Sequence, residues 1–227
     1  PYHEVEAEKQ HYPGERLYLA AKRDDRARDA LSKAVLYAAV RYHEQPAGKK
    51  DPALARVACA LLVRFAQVYP SYATHYDQRG EPKYFQQADL PPPYRRGYRT
   101  GKWTWTSSQD VPLNLVIAYA LLRSDPAMAE VGKLLGEADP ARRVERGLFR
   151  ASAEFTRRQT DEADEASILV DRGLLAVGRL LRDAELVRDA AARLERLAAR
   201  GFYYDGFWHQ GTLASQRRVL GQLDGWI

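Results

Sequence analysis

The residues of this sequence best suited to chemistry lie in the run Gly201-Phe202-Tyr203-Tyr204-Asp205-Gly206-Phe207-Trp208-His209-Gln210-Gly211. Asp205-Gly206 is a turn signal, because an Asp side chain bonds its own backbone two residues on and Gly accepts a positive φ. Trp208 offers a flat platform, and His209 is the only side chain of the run that titrates near neutrality. Such a turn can present several polar tips at a helix end, as an active cleft requires. Tyr203 or Tyr204 could transfer a proton only with its phenol pKa lowered by nearby positive charge, for which Arg217 and Arg218 are the candidates. The competing reading makes the aromatics core and leaves His209 hydrogen-bonded and silent.

A second segment, Gly101-Lys102-Trp103-Thr104-Trp105-Thr106-Ser107-Ser108-Gln109-Asp110, is also too aromatic and polar for an ordinary linker. Trp103 and Trp105 alternate, so an extended backbone points both to one side, as sugar stacking or peptide gripping requires. The alternative is that both tryptophans pin a long loop to the body of the protein. No dinucleotide fingerprint, phosphate-binding glycine loop, zinc-ligand spacing or serine elbow is present. The five histidines, His3, His11, His43, His75 and His209, are dispersed, so the sequence gives no local support for a metal and implies no cofactor. The single cysteine, Cys59, sits in an apolar run and reads as a buried, inert thiol.

Helices must position these segments. Leu31, Ala34, Val35, Ala38 and Tyr42 recur at helical spacing, and a second face follows at Leu54, Val57, Ala58, Leu61, Leu62 and Phe65. Asp51-Pro52, Asp125-Pro126 and Asp139-Pro140 each read as a helix start, Asp accepting first-turn amides and Pro being harmless at the first helical position. Further faces occur at residues 115–122, 144–149, 164–181 and 184–199, with a short one at Val219, Leu220 and Leu223. The expected fold is all-α, an incomplete (α/α) toroid of antiparallel helix pairs. Residues 1–21 are expected as an irregular lead-in, and 22–227 as the toroid with a long aromatic loop at 70–108. The abrupt stop at Ile227 reads as a fragment boundary.

The formal charge of +5 favours an anionic partner, acidic polysaccharide as readily as nucleic acid. No helix combines a concentrated basic face with a recognition-motif turn, so nucleic acid is not the expected partner. Arg142, Arg143, Arg146, Arg150, Arg157 and Arg158, interleaved with Glu145 and Glu154, read as a solvated face. Every long helical candidate is interrupted by charge, so no membrane span is expected. Oligomeric state is left open by the sequence.

Four stretches together resemble the helical domain of the heparinase II/III-like polysaccharide lyases, a group that includes alginate and chondroitin-type lyases. They are LARVACALLVRFAQVY from Leu54, GKWTWTSSQDVPLNLVIAYALL from Gly101, DRGLLAVGRLLRDAELVRDA from Asp171 and, most sharply, FYYDGFWHQGTLASQRRVLGQL from Phe202. The resemblance implies an incomplete toroid, often followed by β-sandwich domains, that binds acidic glycans in a cleft. It implies a secreted or periplasmic protein and β-elimination of uronates. A polar group neutralises the carboxylate, a His or Tyr removes the C5 proton, and a Tyr protonates the departing oxygen. On this sequence His209 would be the base and Tyr204 the acid or second base, with Gln210 or Arg217 at the carboxylate. Trp103, Trp105 and Trp208 would be sugar platforms, and Gln109, Tyr203 and Asp205 further contacts. Ser215 and Gln216 stand where the family usually has a Tyr-His pair, and Glu165–Asp171 stands where it often has an Asn-containing group. A noncatalytic glycan-binding or structural toroid, and a glycoside hydrolase on the same scaffold, are the alternatives. The hydrolase would use Asp205 with Asp110 or Asp171 across a cleft.

Overall fold

The computed structural model describes residues 15–72, 75–77, 99–101, 111–158 and 165–224. In chain order the elements are α1 (Glu15–Glu44), α2 (Pro52–Val68), β1 (His75–Asp77), β2 (Arg99–Gly101), α3 (Leu113–Leu122), α4 (Pro126–Leu134), α5 (Pro140–Val144), α6 (Ala151–Arg157), α7 (Glu165–Leu181), α8 (Ala184–Gly201) and α9 (Leu213–Asp224). Short 3-10 turns follow α1 at Ala47–Lys49 and α2 at Tyr69–Ser71, and a π-helical turn, Glu145–Arg150, joins α5 to α6. The domain is all-α in its packing. α1 starts at Glu15, ahead of Lys22, inside the stretch expected to be irregular.

All three Asp-Pro signals open helices as expected. The Asp51, Asp125 and Asp139 carboxylates accept from the amides of Ala53, Ala127 and Arg142 at 2.9, 2.9 and 3.0 Å. Each satisfies a first-turn N–H that the helix itself cannot. Within the segment expected to be a structureless loop, β1 and β2 pair antiparallel, with His75 opposite Gly101, Tyr76 opposite Thr100 and Asp77 opposite Arg99.

The main core gathers on α2, against which α1, α3, α4 and α5 pack. Ala58, Cys59, Leu62, Val63 and Ala66 are fully buried there, with Leu115, Tyr119, Leu122, Leu148 and Phe149 facing them from later elements. Each buried Leu or Phe contributes about 2 kcal/mol over its exposed state. Val57 and Leu31, expected on the inner faces, instead lie 55% and 42% exposed. Contrary to the expectation from charge spacing, the helical stretch Pro52–Ser71 is long and apolar enough to cross a membrane by length and composition. Its central position in the core accounts for that composition. Cys59 is buried, and burial followed by the nearby Asp125 charge pushes its thiol up to about 12, as an inert thiol requires.

The π turn places Gly147 against α2, where a Cβ would sit 2.8 Å from the Ala66 carbonyl oxygen. Only a residue without a side chain permits that approach. Of the six arginines read as a solvated face, Arg142, Arg143, Arg146 and Arg158 are exposed, as expected, while three of the six make ion pairs. Arg143 pairs with Glu137, Arg150 with Asp183, and Arg157 with both Glu185 and Asp189. Glu145 instead accepts from the Tyr119 hydroxyl at 2.9 Å. The buried Arg193 of α8 donates to the Arg157 carbonyl at 3.0 Å and lies 3.4 Å from Asp189 and 4.0 Å from the buried Asp171 of α7. These links draw α6, α7 and α8 together and leave Asp171 inside the helix layer.

Candidate functional site

The link from α8 to α9 is a built structure. Phe202 and Trp208 form an antiparallel bridge, Tyr203 N–H donates to the Phe207 carbonyl at 2.8 Å, and Gly206 N–H donates to the Tyr203 carbonyl at 2.9 Å. Gly206 has φ +81°, so the chain reverses through a three-residue loop that ends in a left-handed glycine. Asp205 Oδ1 accepts from the Phe207 amide at 2.9 Å, the local bond that makes Asp-Gly a turn former. The sequence signal at Asp205-Gly206 is therefore realised.

Trp208 departs from its expected role. Its side chain is fully buried with Ile168, Leu197 and Val219, and Phe202 meets it edge-on at 5.2 Å between ring centroids. A sugar platform must expose at least one face of its ring, and a ring with no exposed surface meets no sugar. Trp208 is the apolar root of the turn. Gly201 makes room for it, since a Cβ there would lie 2.2 Å from Trp208 Cζ3.

The turn carries five other candidates, the exposed Asp205 among them, at or near the surface. Tyr204 is fully exposed and Tyr203 is 55% exposed, with the Tyr203 hydroxyl donating to the His209 carbonyl at 3.1 Å. The His209 ring is half-buried and lies 4.7 Å from that of Trp208, and the His209 backbone N–H donates to the Gly201 carbonyl at 2.8 Å. Gln210, also half-buried, follows it. Tyr203, Tyr204, Asp205, His209 and Gln210 thus share one hydrogen-bonded turn. Trp103, Trp105 and Gln109 lie outside the described residues.

Gln216, which sequence reasoning marked only as a departure from the family pattern, holds the turn in place. Its Oε1 accepts from the Trp208 amide at 2.6 Å and its Nε2 donates to the Gly206 carbonyl at 3.3 Å. The available signal was a polar residue three positions before the inward-facing Val219. Because Gln216 faces the turn, the next residue is rotated about 100° around α9. Arg217 is accordingly exposed on α9. Asp205 and Asp171 do not form a hydrolase pair across an open cleft, because Asp171 is buried between helices and ion-paired with Arg193.

No protein-family model, curated protein or solved structure matches this chain.

Proposed function

We propose that the chain binds uronate-containing glycans at the α8–α9 turn and cleaves them by β-elimination, on a helical body arranged as an incomplete (α/α) toroid. The toroid reading is supported by packing between elements two apart in the chain, α1 with α3 and α2 with α4. One observation carries the functional reading. A turn rooted by buried Trp208 and clamped by Gln216 offers two phenols, an imidazole and a carboxamide from one surface. A site on such a support keeps its groups in register with a ligand.

In this reading the Gln210 amide donates to the substrate carboxylate, which makes the C5 proton more acidic. An imidazole nitrogen of His209 takes that proton, the C5–H electrons form the C4–C5 double bond, and the C4–O bond breaks. Tyr204 gives its phenolic proton to the departing oxygen. Tyr203 flanks the sugar, and an acidic extracellular or periplasmic polymer is the substrate class. A second reading, recognition without cleavage, is favoured by the complete exposure of Tyr204, because a phenol that projects wholly into solvent is not preorganised as a proton donor.

Calorimetric titration with alginate, heparan sulfate, chondroitin sulfate, hyaluronan and a neutral glucan tests recognition. One of the acidic polymers should bind, and Tyr204→Ala and Gln210→Ala should each weaken it roughly tenfold, as lost contacts of about 1–2 kcal/mol do. Equal binding of the neutral glucan, or unchanged affinity in both variants, would remove the turn from the account.

A further inference from the structure

The last helix, α9, is held more lightly than the helices of the main core. Val219 is its one buried side chain, with Ser215, Gln216, Gln222 and Leu223 half-buried, whereas α2 buries seven. Val219 joins Ile168 of α7, Leu197 of α8 and Trp208 in a cluster separate from the one built on α2. In this region Trp208 Nε1 and Gln222 Oε1 are buried without a hydrogen-bond partner. Docking α9 takes both atoms out of water and gives neither a bond, which offsets part of what burial of Val219 contributes.

The helix does not outlast its docking. It has twelve residues, a length at which an isolated helix is marginal in water, and Gly221 within it weakens it further. Once Val219 leaves the small core, the backbone bonds of α9 therefore open together. The turn is tied to the same event. The Trp208 amide donates to Gln216 Oε1 on α9, and the Gly206 carbonyl accepts from Gln216 Nε2, so both lose that partner when α9 leaves. We propose that α9 is a strap that releases as one unit while the core on α2 stays folded, and that its release loosens the α8–α9 turn. The strap is a property of the fold. On the reading given above, a glycan held by the turn draws it into the docked state.

Amide hydrogen exchange on the full chain, resolved by residue with nuclear magnetic resonance, tests the proposal without any ligand. The amides of Trp208, Val219 and Leu220 should share one protection factor, at least about a hundredfold below those of Cys59 and Leu62 on α2. Val219→Ala should lower the shared protection by roughly tenfold and leave Cys59 and Leu62 at their wild-type values. Gln222→Met removes the orphaned acceptor at similar volume and should raise the same shared protection. The two variants move the opening in opposite directions, so each checks the other. Protection of α9 equal to that of α2, or a Trp208 amide that ignores both substitutions, would overturn the strap. The predicted exchange in a protein that binds no acidic polymer would support the strap and remove the glycan reading alone.

Discussion

Individual residues of the turn divide into those that hold it and those it displays. Gly201 and Trp208 belong to the first kind. Gly201→Ala puts a methyl group 2.2 Å from the Trp208 ring, and the ring cannot retreat from a fully buried position without moving Leu197 or Val219. Overpacking of this kind costs about 1–3 kcal/mol. We expect Gly201→Ala to lower the thermal midpoint and to flatten the near-ultraviolet dichroism of the tryptophan, measured on the same sample. Sequence reasoning found the turn at Asp205-Gly206 because that signal is local. It misplaced Trp208 because whether an aromatic points in or out depends on what packs over it. Gly201, two residues before Tyr203, gave no local sign that it was a seat for Trp208.

At the level of elements the helix starts were legible because an Asp-Pro pair acts through its own first turn. The π turn and the β1–β2 pair were not, since both depend on contacts between distant parts of the chain. The junction of α7 and α8 shows what local signals omit. Asp183 N–H donates to the Gly178 carbonyl at 2.8 Å, and Arg182 between the helices has φ +54°. The same closure follows α4, where Glu137 N–H donates to the Gly132 carbonyl at 2.8 Å and the left-handed residue is Gly136. A side chain in that conformation costs about 1 kcal/mol. Arg182→Gly should therefore raise stability by up to about 1 kcal/mol in urea unfolding, while Gly136→Ala should lower it.

Asp183 also begins α8 and accepts from Arg150 at 2.8 Å. That hydrogen bond, and then the amides of Leu186 and Glu185, hold its carboxyl below the usual carboxylate range. A carboxyl depressed in the folded state stabilises the protein above its unfolded pKa, and that contribution is lost as pH falls through the folded value. Asp183→Asn keeps a capping oxygen but removes the charge. The stability difference between wild type and Asp183→Asn, followed by urea unfolding, should be full at neutral pH and shrink as the solution is acidified below the ordinary carboxylate range.

Across the whole molecule, helix–helix packing was readable from apolar spacing, because such spacing must be buried somewhere. The positions of Leu31 and Val57 were not, since one face can be broader than the neighbours that cover it. The protein is organised as a large core on α2 and a small one around Trp208, and the proposed site sits on the smaller. The central claim is that this site acts on uronates. Its most direct test follows ultraviolet absorbance of the unsaturated sugar ends during incubation with alginate, heparan sulfate, chondroitin sulfate and hyaluronan, for wild type, His209→Ala and Tyr204→Ala. The account predicts a rise with at least one polymer that is lost in both variants while their thermal midpoints stay at the wild-type value. A rise that survives both substitutions, or the absence of both rise and binding across the four polymers, would contradict it.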